Sequence, residues 1–271
     1  NWQRLNRSAQ RMLMPELPQK LFMQALCSVT AFCQDLIPAK PLHSLYLRPF
    51  MIGTQASLSL SASDTFSFYV IASPSGPFKS SPLKVFIERD NTRAAVGGTG
   101  HVKVSGNYGA ALSSTSNAMN KGYDQPLWLD AVEHRFIEEL SIMNFFAVVD
   151  KEIVTPKLTD TILPGVTRDS IIRLAKEDGV VVHEQAMDID DLLFSIKSGS
   201  CTELFACGTA AIVTPISVLA DKDDQKYELP TLDDPVALRL RKRLLDIQQG
   251  QTEDTFGWLC PVPKQDWQIG D

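Results

Sequence analysis

The sequence predicts an α/β protein with α+β character, in which a small N-terminal domain precedes a larger, strand-dominated domain surrounded by helices. Three observations carry this. The 271 residues exceed one ordinary domain. Segments with three- and four-residue apolar spacing alternate with short runs of β-branched and aromatic residues. Between them lies SPSGPFKSSP, Ser73–Pro82, with three prolines, one glycine and four serines, which has turn chemistry and little to bury. The expected division is therefore a small domain over residues 1–73, a linker over 74–82 and a large domain over 83–271.

The elements follow in order. From Pro18 to Ile37, Leu21, Phe22, Ala25, Leu26, Val29, Phe32 and Leu36 recur at helical spacing, and Pro38 closes the helix. Ser44–Ile52 and Thr65–Ala72 read as strands, and LKVFIE, Leu83–Glu88, as the first strand of the large domain. A helix is expected from about Asn107 to Lys121, and PLWLD with RFIEEL as a strand pair. Thr167–Glu177 has helical spacing and stops at Gly179, Val180–His183 reads as a buried strand, Asp188–Ser198 as a helix and Cys201–Cys207 as a strand. In the last helix Asp234 is the expected cap, Pro235 suits the first turn and Gly250 the C-terminal end.

Composition excludes several classes. Apolar residues at 44% and charged residues at 21% are those of a compactly folding chain rather than a disordered one. A net charge of -6 with scattered Lys and Arg leaves no basic stripe, so nucleic acid is not an expected partner. No run approaches the roughly 18 to 20 apolar residues that cross a bilayer, so no membrane partner and a cytoplasmic location are expected. The five cysteines (27, 33, 201, 207, 260) contain no C-x-x-C pair and are expected to be buried free thiols. The four histidines are dispersed, so no metal site is expected. The chain starts at Asn1 with no strand ahead of its first expected helix, so the small domain is expected to lack its N-terminal strands.

Two motifs carry chemistry. GGTGHVKVSGNYGAAL, Gly97–Leu112, places the lone Lys103 after a glycine-rich approach. As a phosphate loop it fails, because Lys103 is not followed by Ser or Thr and the third glycine of a dinucleotide fingerprint is missing. A lysine beside close-packed backbone, partly desolvated, suits Schiff-base chemistry, though most lysines are solvated surface charges. The second motif is Glu139-Leu-Ser-Ile-Met-Asn144-Phe-Phe, then Ile153-Val-Thr155, then Leu163-Pro-Gly-Val-Thr-Arg168.

This long gapped pattern resembles the signature of class IV (fold type IV) aminotransferases. Within them Ser44-Leu-Tyr46-Leu-Arg48-Pro49, Gly106-Asn-Tyr108 and Cys207-Gly-Thr209-Ala210 resemble the branched-chain amino acid aminotransferases, and the resemblance runs from Arg4 to Trp258. It implies a large domain with barrel-like sheets, pyridoxal 5'-phosphate as cofactor and a homodimer. The implied reaction moves the amine of leucine, isoleucine or valine to the cofactor and on to 2-oxoglutarate, giving branched-chain 2-oxo acids and glutamate. By resemblance, Lys103 holds the cofactor as a Schiff base and shuttles a proton as general acid/base. Glu139 faces the pyridine nitrogen; Val166 and Thr167 at a helix start, with Arg4 and Thr209, bind the phosphate. Tyr108 reaches the phenolic oxygen and Leu163 packs on the ring. Tyr46, Arg48, Thr209 and Ala210 line the substrate side. Arg48 is a candidate for admitting glutamate's side-chain carboxylate and equally for a structural ion pair, and Glu138 fits an exposed strand-edge acid. The alternatives are another class IV activity, a D-amino acid aminotransferase or an aminodeoxychorismate lyase, or a catalytically impaired truncated relative. Residues Ala211–Thr214 lack a C-x-x-C, so no thiol switch is expected there.

Overall fold

The computed structural model describes residues 1–79, 81–222 and 225–262. They form two compact units, one of Asn1–Pro77 with the segment from Phe256 onward, the other of Phe78–Thr255.

In the first unit, α1 (Trp2–Arg11) and α2 (Gln19–Phe32) accompany a two-stranded antiparallel hairpin of β1 (Ser44–Gly53) and β2 (Phe66–Ser75). The sequence reading missed α1, because WQRLNRSAQR is mostly polar and buries only Ser8 and Ala9. The α1–α2 connection is fixed instead by polar bonds: the Trp2 indole donates to the Leu17 carbonyl at 2.6 Å, and Asn6 exchanges two bonds with Leu17. The predicted helix to Ile37 ends early, giving way to a short 3-10 turn at Gln34–Leu36. Phe22 is its buried anchor, with its ring 6.2 Å from Phe68 on β2. Cys27 and Cys33 are half-buried and Cys260 is exposed, so only Cys201 and Cys207 match the expectation of buried thiols.

In the second unit β3 (Leu83–Glu88) and β4 (Gln125–Leu129) run parallel, joined through α3 (Ser105–Asn120). A parallel pair requires such a crossover. β5 (Ile137–Leu140), β6 (Asn144–Val149) and β7 (Glu152–Pro156) follow as an antiparallel meander, and α4 (Val166–Glu177) carries the chain back to β8 (Val182–Gln185), parallel to β7. After α5 (Ile189–Ser198), β9 (Cys201–Gly208) pairs with both β6 and β10 (Ile212–Ala220). β10 pairs in turn with β3, so β3-β4-β5-β6-β9-β10 close into a ring, with β7 and β8 extending it beyond β6 and β11 (Lys226–Glu228) beyond β10. Closure leaves the ring no free edge.

Around β6 and β9 the ring is buried on both faces, whereas β3 exposes Lys84 on one of its faces. Leu83, Val85, Ile87, Leu127, Leu129, Phe145 and Ala147 lie in one core cluster, while Phe146 stacks on Phe205 at 4.9 Å. Burial on both faces suits the unbroken apolar run Phe145–Val149 of β6. Val180–His183, expected as a buried strand, is shifted to Val182–Gln185 and half exposed, because it is the outermost strand beyond β7.

α6 (Val236–Gln248) corrects another expectation. Asp234 does not cap it; its carboxylate binds Arg239 at 2.7 Å. The cap comes from the buried Glu203 on β9, whose two oxygens accept the Val236 and Ala237 amides at 2.8 and 3.0 Å. The helix start is thereby bolted to the barrel wall. Replacing Glu203 by Ala removes both acceptors, and urea unfolding should show a loss of about 1–2 kcal/mol, whereas Asp234→Ala should stay within about 0.5 kcal/mol.

Candidate active site

Glu139 and Asn144 face each other across the β5–β6 pair, because the tight turn at 141–143 sets the register. That turn is the physical content of the E-x-x-x-x-N spacing. Asn144 Nδ2 donates to Glu139 Oε2 at 3.0 Å and to the Leu163 carbonyl at 2.9 Å, and the Leu163 amide donates to Glu139 Oε1 at 3.2 Å. A Cβ on Gly165 would fall 2.0 Å from Asn144 Oδ1, so only glycine lets the 163–165 segment pass. The three parts of the gapped motif are thus one packed cluster.

Glu139 is 4% exposed, and a third donor reaches it: Arg93 Nη2 lies 2.6 Å from Oε1. Burial pushes the Glu139 carboxyl up to about 7, and Arg93 is the chief opposing influence, with Lys103 also acting to lower it. Two carboxylate oxygens offer about four acceptor positions. Arg93, Asn144 and the Leu163 amide use three, leaving room for one more donor.

Lys103 lies in the connection between β3 and α3, held by backbone. The Asn107 side chain binds the Thr99 hydroxyl and the Thr99 and Val102 carbonyls at 2.7 to 2.9 Å, and the His101 amide donates to Asp160 O at 3.0 Å. A Cβ on Gly100 would sit 2.6 Å from Ala94 Cβ, Thr161 Cα and Thr161 O. Lys103 itself is exposed, with its ammonium hydrogen-bonded to the Tyr108 hydroxyl and 5.1 Å from the Tyr108 ring centre.

Val166 and Thr167 open α4, whose N-terminus has no side-chain cap, so its first amides point outward. Thr209 and Ala210 lie exposed in the β9–β10 turn, beside the β5–β6 turn: Cys207 pairs with Asn144, and a Cβ on Gly208 would meet Ile142 O and Met143 Cγ at 3.4 Å. Leu163, Val166 and Thr167 are half-buried. Arg4, Tyr46 and Arg48 belong to the N-terminal unit. Arg4 lies on α1 and binds the Asn1 side chain at 3.4 Å. Tyr46 and Arg48 share a face of β1, the guanidinium 5.4 Å from the Tyr46 ring centre, and among the described residues Arg48 makes no ion pair.

Sequence reasoning missed Arg93, Thr161 and the role of Asn144, and misjudged Glu138. Arg93 sits in an irregular loop with no periodicity to mark it as buried. Glu138 is 5% exposed rather than a strand-edge acid, because the 157–163 loop covers it and the Thr161 hydroxyl donates to its carboxylate.

The class IV amino-transferase family model matches residues 1–219. The fold is the one shared by fold type IV aminotransferases. The branched-chain amino acid aminotransferase from T.th., solved with pyridoxamine 5'-phosphate, superposes with a TM-score of 0.82 at 27% identity, covering 97% of this chain and 82% of that one. The branched-chain amino acid aminotransferase from Escherichia coli superposes with a TM-score of 0.78 at 29% identity, covering 96% and 81%. A probable branched-chain-amino-acid aminotransferase of Staphylococcus aureus is 39% identical over 268 residues, 97% of this chain and 75% of its own length. The chain belongs to the class IV aminotransferases, in the branched-chain-amino-acid aminotransferase family.

Burial, the first cause in each case, raises Glu138 and Glu139 from the ordinary 4.5 to about 7. A raised folded-state value means that each contributes stability fully present below about pH 4.5 and lost as pH rises through about 7. In urea titrations of ligand-free protein, unfolding free energy should fall across that window, and both Glu138→Gln and Glu139→Gln should flatten the fall. Unchanged slopes in both variants would refute the burial argument.

Proposed function

We propose that the chain transfers the amino group of leucine, isoleucine or valine to 2-oxoglutarate, yielding branched-chain 2-oxo acids and glutamate, with pyridoxal 5'-phosphate held covalently at Lys103. One observation carries the reading. A buried carboxylate with a single acceptor position left lies within electrostatic reach of a lysine whose neighbour is a tyrosine hydroxyl, beside an uncapped helix start.

The residues present fit the group. A ring nitrogen can take the remaining position on Glu139, an anionic phosphate suits the outward amides of Val166 and Thr167, and Tyr108 can donate to a phenolic oxygen. When bound, the cofactor supplies an electron sink for the charge left on the substrate Cα as its proton departs. The chain's own residues do the rest. Glu139 holds the proton on the ring nitrogen, Lys103 Nζ carries a proton to and from the substrate carbon, Tyr108 orients Lys103, and Leu163 packs on the ring. Thr209 adds a donor to the phosphate, and the family resemblance assigns Arg4 to the same group. By the family resemblance, the Thr209 and Ala210 amides receive the substrate carboxylate, and Tyr46 and Arg48 are assigned to its side chain, Arg48 to glutamate's second carboxylate. We place the enzyme in the cytoplasm as a homodimer; among the described residues no helix is long and apolar enough to cross a membrane.

The direct test is Lys103→Ala. Purified protein should show visible absorbance from the lysine-bound cofactor, and the substitution should abolish it, with glutamate formation from L-leucine falling at least about 10²–10⁴-fold. A panel of L-leucine, D-alanine and aminodeoxychorismate should give turnover with the first alone. An unchanged spectrum, or preference for another substrate, would refute the reading.

A further inference from the structure

We propose that Arg93 is a positioning residue of the transamination site, one buried guanidinium that favours the anionic form of Glu139 against its burial and ties together the two loops bearing Lys103 and Leu163. The inference rests on the functional reading above. Arg93 is 7% exposed, and a single nitrogen of its guanidinium serves three partners. Nη2 approaches Glu139 Oε1 at 2.6 Å, donates to the Gly100 carbonyl at 3.4 Å and donates to the Thr161 carbonyl. Gly100 stands three residues before Lys103 and Thr161 two before Leu163. The loops meet with no room for an added atom at Gly100, since a side chain there would collide with Thr161. Arg93 therefore sits behind the reacting groups and fixes the acid on one side and the lysine loop on the other.

Two adjacent glutamates on β5 are both buried, so without a fixed cation at least one would take up a proton. The charged and titratable groups acting on Glu139 are Arg93 from the loop after β3, Glu138 beside it, Lys103 before α3 and the Cys207 thiol on β9. Burial holds that thiol neutral, and Lys103 is exposed. Arg168 on α4 is also buried, but its guanidinium pairs with Glu184 and the Pro156 carbonyl at 2.9 Å, which leaves Arg93 as the buried, permanent cation in contact with Glu139. A ring proton is retained by a carboxylate but not by a neutral carboxylic acid, so Arg93 acts on the cofactor through Glu139.

The test compares holoenzyme carrying Arg93→Met, Arg93→Lys, Glu139→Gln and the Arg93→Met/Glu139→Gln pair with the parent. The readouts are the visible spectrum, cofactor retention on dialysis and kcat for L-leucine with 2-oxoglutarate, each across pH 5.5–9 in steps of about half a unit. In Arg93→Met the acid limb of kcat and the loss of cofactor should both move to higher pH by about one unit or more, so that the deficit is about tenfold or greater on that limb and shrinks as pH rises. Arg93→Lys should restore most of the profile, and the double variant should be no slower than Glu139→Gln alone. Profiles that superpose on the parent, or single effects that multiply in the double variant, would overturn the proposal. If Arg93→Met fails to fold, Arg93→Gln takes its place: an acid limb displaced to higher pH supports the inference, and an unmoved limb sinks it. A parent protein with no Lys103-dependent absorbance would instead defeat the functional reading, so the two failures are distinguishable.

Discussion

The site depends on one costly act, the burial of the Glu139 carboxylate. Removing such a group from water costs several kcal/mol even after relaxation, and a single ion pair seldom repays it. Here the compensation is distributed over a guanidinium at 2.6 Å, an amide side chain at 3.0 Å and a backbone N–H at 3.2 Å. Each donor arrives from a different segment: Arg93 from the loop after β3, Asn144 from β6 and Leu163 from the approach to α4. Satisfying the carboxylate therefore obliges three remote stretches to converge. A buried ion pair of this kind adds little net stability compared with apolar packing, so its presence is better explained by the chemistry it permits than by the fold it holds.

Barrel closure makes the convergence possible. β9 pairs with β6 on one side and β10 on the other, so the β5–β6 and β9–β10 turns become neighbours although they are far apart along the chain. The two helical crossovers then bring in the remaining pieces. α3 is entered through the lysine loop and α4 through the Leu163 loop, and the two loops touch at Gly100 and Thr161. Strand pairing thus carries the precision, while the loops carry the reactive groups on supports that leave little freedom.

Most of this was legible in the sequence where a constraint acts locally. The E-x-x-x-x-N spacing is a hairpin, Leu163-Pro-Gly-Val-Thr is a strand-to-helix turn, and LKVFIE is a strand whose Leu83, Val85 and Ile87 face the core; each is written in consecutive residues. What escaped depends on remote partners. α1 is polar and held by hydrogen bonds to Leu17, so apolar periodicity could not reveal it. Glu203 caps a helix remote from it in sequence, where local cap rules favoured Asp234. Glu138 alternates with Glu139 along β5 and by strand geometry points to the opposite face; that this face is also covered follows from the 157–163 loop, which no spacing on β5 announces.

The contrast between the buried acid and the exposed lysine suits the proposed reaction. A group that must only hold a proton gains from immobility and low dielectric, since every added contact strengthens its hold. A group that must deliver a proton to two different atoms needs room to move, and a side chain at the rim has it. Lys103 meets both demands by anchoring its backbone rather than its amine. The Asn107 bonds and the His101 amide fix the loop, while four methylenes let Nζ swing from its resting contact with Tyr108. An exposed glutamate in place of the buried one would be screened by water and would hold a proton on its partner less firmly.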